Sequence, residues 1–369
     1  MPKPVNGPNS RLAAAASFLI LAAALLVAGS ARAQESAPGK FNKDGNILIA
    51  DQFNNRVIEI DPSGNIVFSY GDGSSTAGPT SIVAPNDAER INGRKTLIAA
   101  TGAPAGSEPS CPNGCPDNRV LIVNANGKIL WQHGQAGVTG SGFNELSSPV
   151  QATYVRNARV LISDQGNQRV IRVKKNHNIE WQYGQTGVPG SDADQVNNPN
   201  SAELLDNGNV LIADEGNNRV IEVTSGKQIV WQYGTATGPS PLNAPAFASR
   251  LPNGNTLISD SGNNRAVEVT PGFQEVWQYV TSARAGSVAE PAPSRAIRLK
   301  NGNTLISDQF NHQVIEVDPT GQIVFSYGTI GIAGNGANEL NAPYDAKCIG
   351  DYTGITKPPT PPGAVMGTN

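Results

Sequence analysis

Residues Asn209 to Gly234 read NVLIADEGNNRVIEVTSGKQIVWQYG. This stretch contains three short runs, Val210–Ala213, Arg219–Val223 and Ile229–Tyr233, that are rich in β-branched and aromatic residues. Each run is bounded by Gly, Asn, Asp or Ser, which is typical of short strands joined by tight turns. The pattern recurs, and the Asp that closes its first run returns every 46 to 50 residues, at Asp164, Asp214, Asp260 and Asp308. A repeat of this length built from short strands predicts sheets stacked radially around an axis.

A fourth run, which we call the leader, begins at a proline and has Ala at its fourth place. The leaders are Pro85–Ile91, Pro149–Val155, Pro199–Leu205, Pro245–Leu251, Pro293–Leu299 and Pro343–Ile349. The first three-run copy, Asn46–Gly71, has no leader before it, and the last leader has no copy behind it. Six four-stranded blades result only if the C-terminal leader joins the N-terminal copy, which also removes the exposed sheet edges. The sequence therefore predicts an all-β, six-bladed β-propeller closed by a C-terminal inner strand.

Within each blade we label the strands a (the leader), b, c and d in chain order, and we expect strand a to line the axis. The a–b and c–d turns are short, as in Pro252-Asn-Gly-Asn255, and suit tight hairpins. The long connections all fall on the opposite face, which we call the long-loop face; they are Thr101–Pro116, Gly134–Pro149, Gly184–Pro199 and Gly328–Pro343. Because binding residues concentrate on loops held by a rigid scaffold, we expect ligands or partners on this face.

The N-terminus has the features of an export signal. Lys3 and Arg11 precede the apolar run Leu12–Gly29, and Ala31-Arg32-Ala33 matches a cleavage site. We therefore predict a signal peptide at 1–33, a linker at 34–40, the propeller at 41–352, and a Pro-rich disordered tail at 353–369. An uncleaved membrane anchor is the alternative. The expected location is secreted or periplasmic, without stable membrane insertion after cleavage, and the expected state is a monomer.

The net charge of −3 gives no basic footprint, so we expect a protein or small-molecule partner and no nucleic acid. Cys111 and Cys115 flank a tight turn, and in an oxidising compartment we expect a local disulfide between them. Cys348 is expected to be a small apolar side chain. The three His residues, His133, His177 and His312, fall in three blades and on different layers, so we expect them to form neither a metal cluster nor an acid–base pair.

A regular polar pattern accompanies the repeat, in which Asp closes strand b and Arg follows five residues later. Such an Asp can accept N–H bonds from the next turn, and the Arg can hold the carboxylate across the hairpin. Because one active site would not need the set in most blades, we interpret it as structural. The members are Asp51, Arg56, Asp164, Arg169, Asp214, Arg219, Asp260, Arg265 and Asp308; blade two has Ala100 in place of the Asp, and blade six has Gln313 in place of the Arg.

The charged places of the leaders form the one candidate ligand site. These residues are Asp87, Glu89, Glu203, Arg295, Asp345 and Lys347. They lie at the third and fifth places of strand a, nearest the channel. The acidic members suit a cation such as Ca²⁺ or an amine. Ion pairing between blades is the alternative interpretation.

The motif Gly-x-Gly-x-Asn-Glu-Leu-x-x-Pro, followed by Leu-Ile-x-Asp and Asn-x-Arg-Val, resembles that of the NHL-repeat propellers. The best matches are Gly137–Val170 and Gly331–Pro343, and the resemblance covers nearly all of Phe41–Tyr352. It implies the six-bladed fold. Its functional implication is broad, because members of this family range from interaction scaffolds to lyases and hydrolases.

A second resemblance is to arylsulfotransferase-like and quinoprotein-like repeats, carried by Leu251–Ile258, Val267-Glu-Val269 and Val276–Tyr279. Arylsulfotransferase-like propellers use a channel His at the place that precedes the third residue of the leader. In this sequence the second places of the six leaders hold Asn86, Val150, Asn200, Ala246, Ser294 and Tyr344. The absence of this His argues against sulfate transfer through an imidazole. We therefore expect an exported, non-enzymatic scaffold, with a channel-site enzyme of lyase, hydrolase or arylsulfotransferase-like type as the alternative, aided by a divalent cation.

Overall fold

The computed structural model describes residues 40–91, 94–155 and 158–351. The predicted signal peptide at 1–33, nearly all of the linker and the tail at 353–369 lie outside these ranges. Among the described residues, no helix has the length and apolar character needed to cross a membrane.

These residues form six four-stranded antiparallel sheets, which confirms the predicted six-bladed β-propeller. In the order a to d, blade one is β24 (Pro343–Cys348), β1 (Ile47–Asp51), β2 (Arg56–Ile60) and β3 (Ile66–Tyr70). Blade two is β4 (Pro85–Ile91), β5 (Lys95–Ala103), β6 (Cys115–Val123) and β7 (Ile129–Gly134). Blade three is β8 (Pro149–Val155), β9 (Arg159–Asp164), β10 (Arg169–Lys174) and β11 (Ile179–Tyr183).

Blade four is β12 (Pro199–Leu204), β13 (Val210–Asp214), β14 (Arg219–Val223) and β15 (Ile229–Gly234). Blade five is β16 (Pro245–Arg250), β17 (Thr256–Asp260), β18 (Arg265–Val269) and β19 (Glu275–Val280). Blade six is β20 (Arg295–Arg298), β21 (Thr304–Asp308), β22 (Gln313–Val317) and β23 (Ile323–Tyr327). A 3₁₀ turn follows strand b in every blade except blade two.

The ring closes where the C-terminal leader meets the first strand. Strand β24 pairs antiparallel with β1, with Leu48 opposite Lys347 and Ile49 opposite Ala346. Beyond the strand, Ile349 donates its N–H to the carbonyl oxygen of Asn46 at 2.7 Å. The predicted closure between the two ends of the propeller is therefore confirmed.

Strand pairing fixes the two faces. In blade three the start of the leader, Pro149, lies opposite Asp164 at the end of strand b, and Asp164 lies opposite Arg169 at the start of strand c. The d–a loops and b–c turns consequently share one face, and the a–b and c–d turns share the other. The leaders pack against one another around the axis, so strand a is innermost, as predicted.

The hydrophobic core lies between adjacent blades. One cluster, for example, combines Leu211 and Val220 of blade four with Ile258 and Val267 of blade five, and Trp231 packs against it. The d-strand Trp also reaches over the next blade, since the Nε1–H of Trp181 donates to the carbonyl oxygen of Ser225 at 3.0 Å. These aromatic residues therefore join neighbouring blades through apolar packing and a hydrogen bond.

The repeated Asp ties the b–c turn to the preceding d–a loop. In blade three, Asp164 Oδ2 lies 2.8 Å from Arg169 Nε, and Oδ1 accepts the backbone N–H of Ser147 at 2.8 Å. The same Asp–Arg pair forms at 2.7–2.8 Å in blades one, four and five. Burial raises the pKa of Asp164 even though Arg169 and the N–H donors oppose this shift. The carboxylate therefore depends on these partners to stay ionised.

The two irregular blades replace the missing member of this pair from elsewhere. In blade two, which has Ala100 at the strand b position, Asp117 of strand c holds Arg119 and accepts the N–H of Val83 at 2.8 Å. In blade six, Asp308 pairs with Arg284 from the d–a loop. The charge pair is thus kept while its place in the sequence changes.

Cys111 and Cys115 form a disulfide in the long b–c loop of blade two.

Candidate functional site

The third place of each leader faces the neighbouring leader, because strand a alternates its side chains across the sheet. Asp345 accepts the N–H of Ala88 at 3.1 Å, and Asp87 accepts that of Ala152 at 3.3 Å. Gln151 does the same in the next blade, to Ala202 at 2.6 Å. Side chains at this place therefore link the inner strands in sequence around part of the channel.

Four of the six predicted channel residues form one buried ion-pair cluster. Lys347 Nζ lies 2.7 Å from Asp87 Oδ1 and 2.7 Å from Asp345 Oδ2. Arg295 reaches the same two carboxylates, with Nη2 2.5 Å from Asp87 Oδ1 and Nε 2.8 Å from Asp345 Oδ1. The cluster spans blades six, one and two. Two cations and two anions therefore neutralise one another in the channel.

The charges determine which way each pKa moves. Burial by itself would raise the pKa of Asp345, but Arg295 and Lys347 outweigh it and hold this pKa below its ordinary value. Burial, with Asp345 beside it, keeps the pKa of Asp87 above its ordinary value despite Lys347 and Arg295. Burial would lower the pKa of Lys347, and the two carboxylates raise it instead. Lys347 therefore stays protonated as the ion-pair partner of both Asp residues.

The other two predicted residues, Glu89 and Glu203, lie outside this cluster and hold the next blade's backbone. Glu89 Oε2 accepts the N–H of Tyr154 at 3.0 Å, and Glu203 Oε2 accepts the N–H of Arg250 at 2.9 Å. Burial raises the pKa of Glu89 to about 7, against the attraction of Lys347. Glu89 therefore titrates near neutral pH.

At the long-loop end of the channel, a tyrosine of blade one crosses to the opposite blade. The hydroxyl oxygen of Tyr344 accepts a hydrogen bond from Asn200 Nδ2 of blade four at 2.8 Å. The same amide donates to Glu215, which also accepts from Gln165. No role at this position was predicted for Tyr344, although it is the one aromatic residue at the second place of the leaders.

The channel does not offer a calcium site built from the predicted carboxylates. The oxygen atoms of Asp87 and Asp345 are held by Lys347 and Arg295, so the cation between them is supplied by the chain. Throughout residues 40–351, apart from the two short gaps, no group of three or more His, Cys, Asp or Glu side chains is placed to hold a metal ion.

Chelation gives a direct check. We expect that EDTA in excess leaves the thermal midpoint of the purified protein unchanged, because the buried charges are balanced without a metal. The measurement is thermal unfolding followed by circular dichroism, with and without EDTA and then with added Ca²⁺. A midpoint that falls on chelation and recovers with Ca²⁺ would show that the metal stabilises the fold.

The expectation that the three His residues lie on different layers is wrong for two of them. His133 of strand d in blade two and His177 of the c–d turn in blade three have their Nδ1 atoms 3.3 Å apart. The two rings stack with Trp131, at centroid distances of 6.1 and 5.9 Å. The reason is the arrangement of neighbouring blades in the propeller. A c–d turn lies over the d-strand aromatic residue of the preceding blade, as Phe273 lies over Tyr233.

Because His133 is buried, we expect the protein to lose stability in acid. Burial lowers its pKa to about 4, with further contributions from His177 and Arg169. The unfolded chain binds this proton at the ordinary pKa of about 6.5, so stability falls as the pH drops from about 6.5 to 4, by up to about 3 kcal/mol.

The substitution H133Y should remove this part of the pH dependence, because tyrosine fills the same place in the other blades. We expect the free energy of unfolding, measured by urea denaturation at pH 7 and pH 4.5, to fall less in H133Y than in the wild type. Equal losses in the two proteins would contradict the assignment.

His312 has a separate role on the long-loop face. Its Nδ1 accepts the backbone N–H of Ala342 at 3.0 Å, just before the closing strand. Asn55 and Asn218 accept the matching N–H groups of Ala84 and Ala244 in other blades. His312 therefore replaces an asparagine acceptor, and burial lowers its pKa.

No protein-family model and no curated protein matches this chain. Among solved structures, a protein of unknown function from Bacteroides caccae is similar, with 14% identity and a TM-score of 0.58 over 82% of this chain and 98% of that one. A chain of a nidogen–laminin complex has 11% identity and a TM-score of 0.51, covering 76% and 92%. A streptogramin B lyase has 12% identity and a TM-score of 0.49, covering 79% and 80%. At these identities the likeness to the first two structures is one of fold.

Proposed function

We propose that this protein is an exported propeller scaffold of the NHL-repeat kind that binds a protein partner through its long-loop face. The observation that carries the proposal is a set of aliphatic side chains exposed at equivalent turns of that face. Val138, Val188 and Ile332 are 39%, 43% and 59% exposed. Each ends a small hairpin whose first residue lies three positions earlier.

Each hairpin is held in place by a hydrogen bond to the blade whose strand d precedes it in the chain. Gly137 donates its N–H to the carbonyl oxygen of Asp117 at 2.9 Å, and Gly187 and Gly331 make the matching bonds to Asn167 and Asn311. Side chains on such fixed turns need little ordering when a partner binds, which favours affinity. Two further exposed aromatic residues, Phe143 and Phe310, belong to a d–a loop and a b–c turn of this face. Exposed side chains on loops that a rigid scaffold holds in place favour binding of a partner on this face.

The channel gives less support to the alternative of a channel-site enzyme. Glu89 has a pKa suited to general base catalysis, at about 7. However, Asp87 and Asp345 are neutralised by ion pairs, and Glu89 and Glu203 already bind backbone N–H groups. A catalytic role would require these contacts to be exchanged for substrate.

The test is capture of partners from envelope extract by three proteins. The first is the wild type, and the second carries V138D, V188D and I332D on the long-loop face. The third carries V230D, V276D and V324D on outer strands, where the side chains are 53–55% exposed. We expect the wild type and the outer-strand control to retain the same partner and the long-loop variant to lose it. No reproducible partner for the wild type, or a partner kept by all three proteins, would contradict the proposal.

A further inference from the structure

A polar module fills the space between several pairs of blades on the face opposite the long loops. Between blades four and five, Glu222 of strand c accepts from Asn209 Nδ2 at 2.7 Å and pairs with Arg250 Nη2 at 3.0 Å. The guanidinium of Arg250 lies 4.9 Å from the ring centroid of Trp231. The Asn, Glu and Arg side chains together thus cover the indole and satisfy one another.

The same module recurs at two further interfaces. Between blades five and six, Glu268 accepts from Asn255 at 2.6 Å and pairs with Arg298 at 2.9 Å. Between blades one and two, Glu59 pairs with Arg90 at 2.6 Å, and Arg90 lies 4.8 Å from the ring centroid of Phe68.

All three members are replaced between blades two and three. The strand c position that holds Glu222 in blade four, opposite Trp231, holds Ile122 opposite Trp131 in blade two. The leader position of Arg250, opposite the first residue of the strand b core, holds Tyr154 in blade three. The position of Asn209, just before that core, holds Lys95. The interface has therefore lost the carboxylate and the guanidinium and gained apolar side chains and an ammonium group.

A cavity of about 300 Å³ occupies the space that the module fills elsewhere. Its apolar lining includes Ile91, Ile122, Trp131, Tyr154 and Val160, and its charged lining consists of Lys95 and Lys175. The Nε1–H of Trp131 is already bonded to the carbonyl oxygen of Lys175 at 3.0 Å. The indole ring therefore contributes an apolar wall whose polar group is satisfied.

The charged residues among the described lining of the cavity are both positive. None of its described lining residues carries a carboxylate, and neither Lys95 nor Lys175 has an ion-pair partner within the described ranges. An apolar cleft with a small number of convergent polar groups is the usual form of a small-molecule site, and this volume lies at the lower end of the usual range, roughly 300–1,000 Å³.

We propose that this inter-blade cavity binds a small aromatic carboxylate, with the ring between Trp131 and Tyr154 and the carboxylate at Lys95 and Lys175. The indole and phenol rings favour a flat aromatic body, which stacks on them in offset or edge-to-face geometry. The two ammonium groups select one negative charge through charge-assisted hydrogen bonds. The site is separate from the channel and from the long-loop face.

The test uses isothermal titration calorimetry of the full chain with 2-naphthoate, and with neutral 2-naphthamide as the paired probe. We expect one saturable site for 2-naphthoate on the wild type. The double variant K95M/K175M should bind 2-naphthoate at least about tenfold more weakly and keep 2-naphthamide affinity within about twofold. The matched control K128M removes an exposed lysine from the neighbouring c–d turn and should leave both affinities within about twofold.

A second variant, K95N/I122E/Y154R, rebuilds the polar module that three other interfaces contain. We expect it to melt cooperatively and to bind neither probe, because its own side chains fill the cavity. The proposal is overturned if the wild type shows no saturable 2-naphthoate binding, if K95M/K175M binds it unchanged, or if the folded rebuilt variant still binds. Should the rebuilt variant not fold, the lysine pair alone decides.

Discussion

A chain that ends at Ala342 is expected to show no cooperative unfolding transition and to aggregate. The truncation removes strand β24, the inner strand of blade one. It leaves the backbone groups of β1 unpaired along the channel and exposes an edge that can pair with other chains. It also removes Asp345 and Lys347, so that Asp87 loses Lys347 and Arg295 loses Asp345 as ion-pair partners.

The matched control is a chain that ends at Asp351, which retains the whole closing strand. The measurements are thermal unfolding by circular dichroism and size-exclusion chromatography of both chains. Adding a synthetic peptide of residues 343–351 to the shorter chain should restore part of the transition, since the strand can pair from a separate molecule. If the shorter chain is monomeric and melts at the temperature of the control, strand β24 is not what closes the ring.

The substitution R295M is expected to lower the free energy of unfolding by about 3–5 kcal/mol, because it leaves buried carboxylates without one of their two cations. Methionine keeps an apolar contact with Phe247, whose ring centroid lies 4.1 Å from the guanidinium. The loss therefore reports mainly on the charge. Urea denaturation at pH 7 measures it.

The control is R298M, on the same strand. Arg298 pairs with Glu268, but its side chain is 20% exposed against 3% for Arg295, so water compensates part of the lost charge and the expected loss is smaller, about 1–2 kcal/mol. In R295M the deficit should also shrink as the pH is lowered and Asp87 becomes protonated, since a neutral carboxyl no longer needs the cation. The combined variant R295M/D87N should recover part of the loss. Equal losses in R295M and R298M would contradict the importance of the cluster.

Much of the architecture follows from local pattern. The run of short β-type segments, the turn residues between them and the unequal number of leaders and copies were sufficient to predict the blades, the closure and the two faces. The roles of Asp117 and Arg284 could not be read in this way. Each takes the place of a missing residue from a different element, and only the folded blade shows that their charged groups reach the vacated position.

The sequence by itself determined the six-bladed ring, because strand alternation, turn residues and repeat length are local features that recur in each copy. Only the tertiary structure decided what the side chains between copies do. His133 and His177 meet, Tyr344 crosses the channel, and Ile122 and Tyr154 open a cavity, since such contacts depend on how one blade is placed over the next. Residues 44 and 144 positions apart in the chain become neighbours in this way. The alternation of side chains along a strand and the recurrence of the repeat do not indicate which of these residues come into contact.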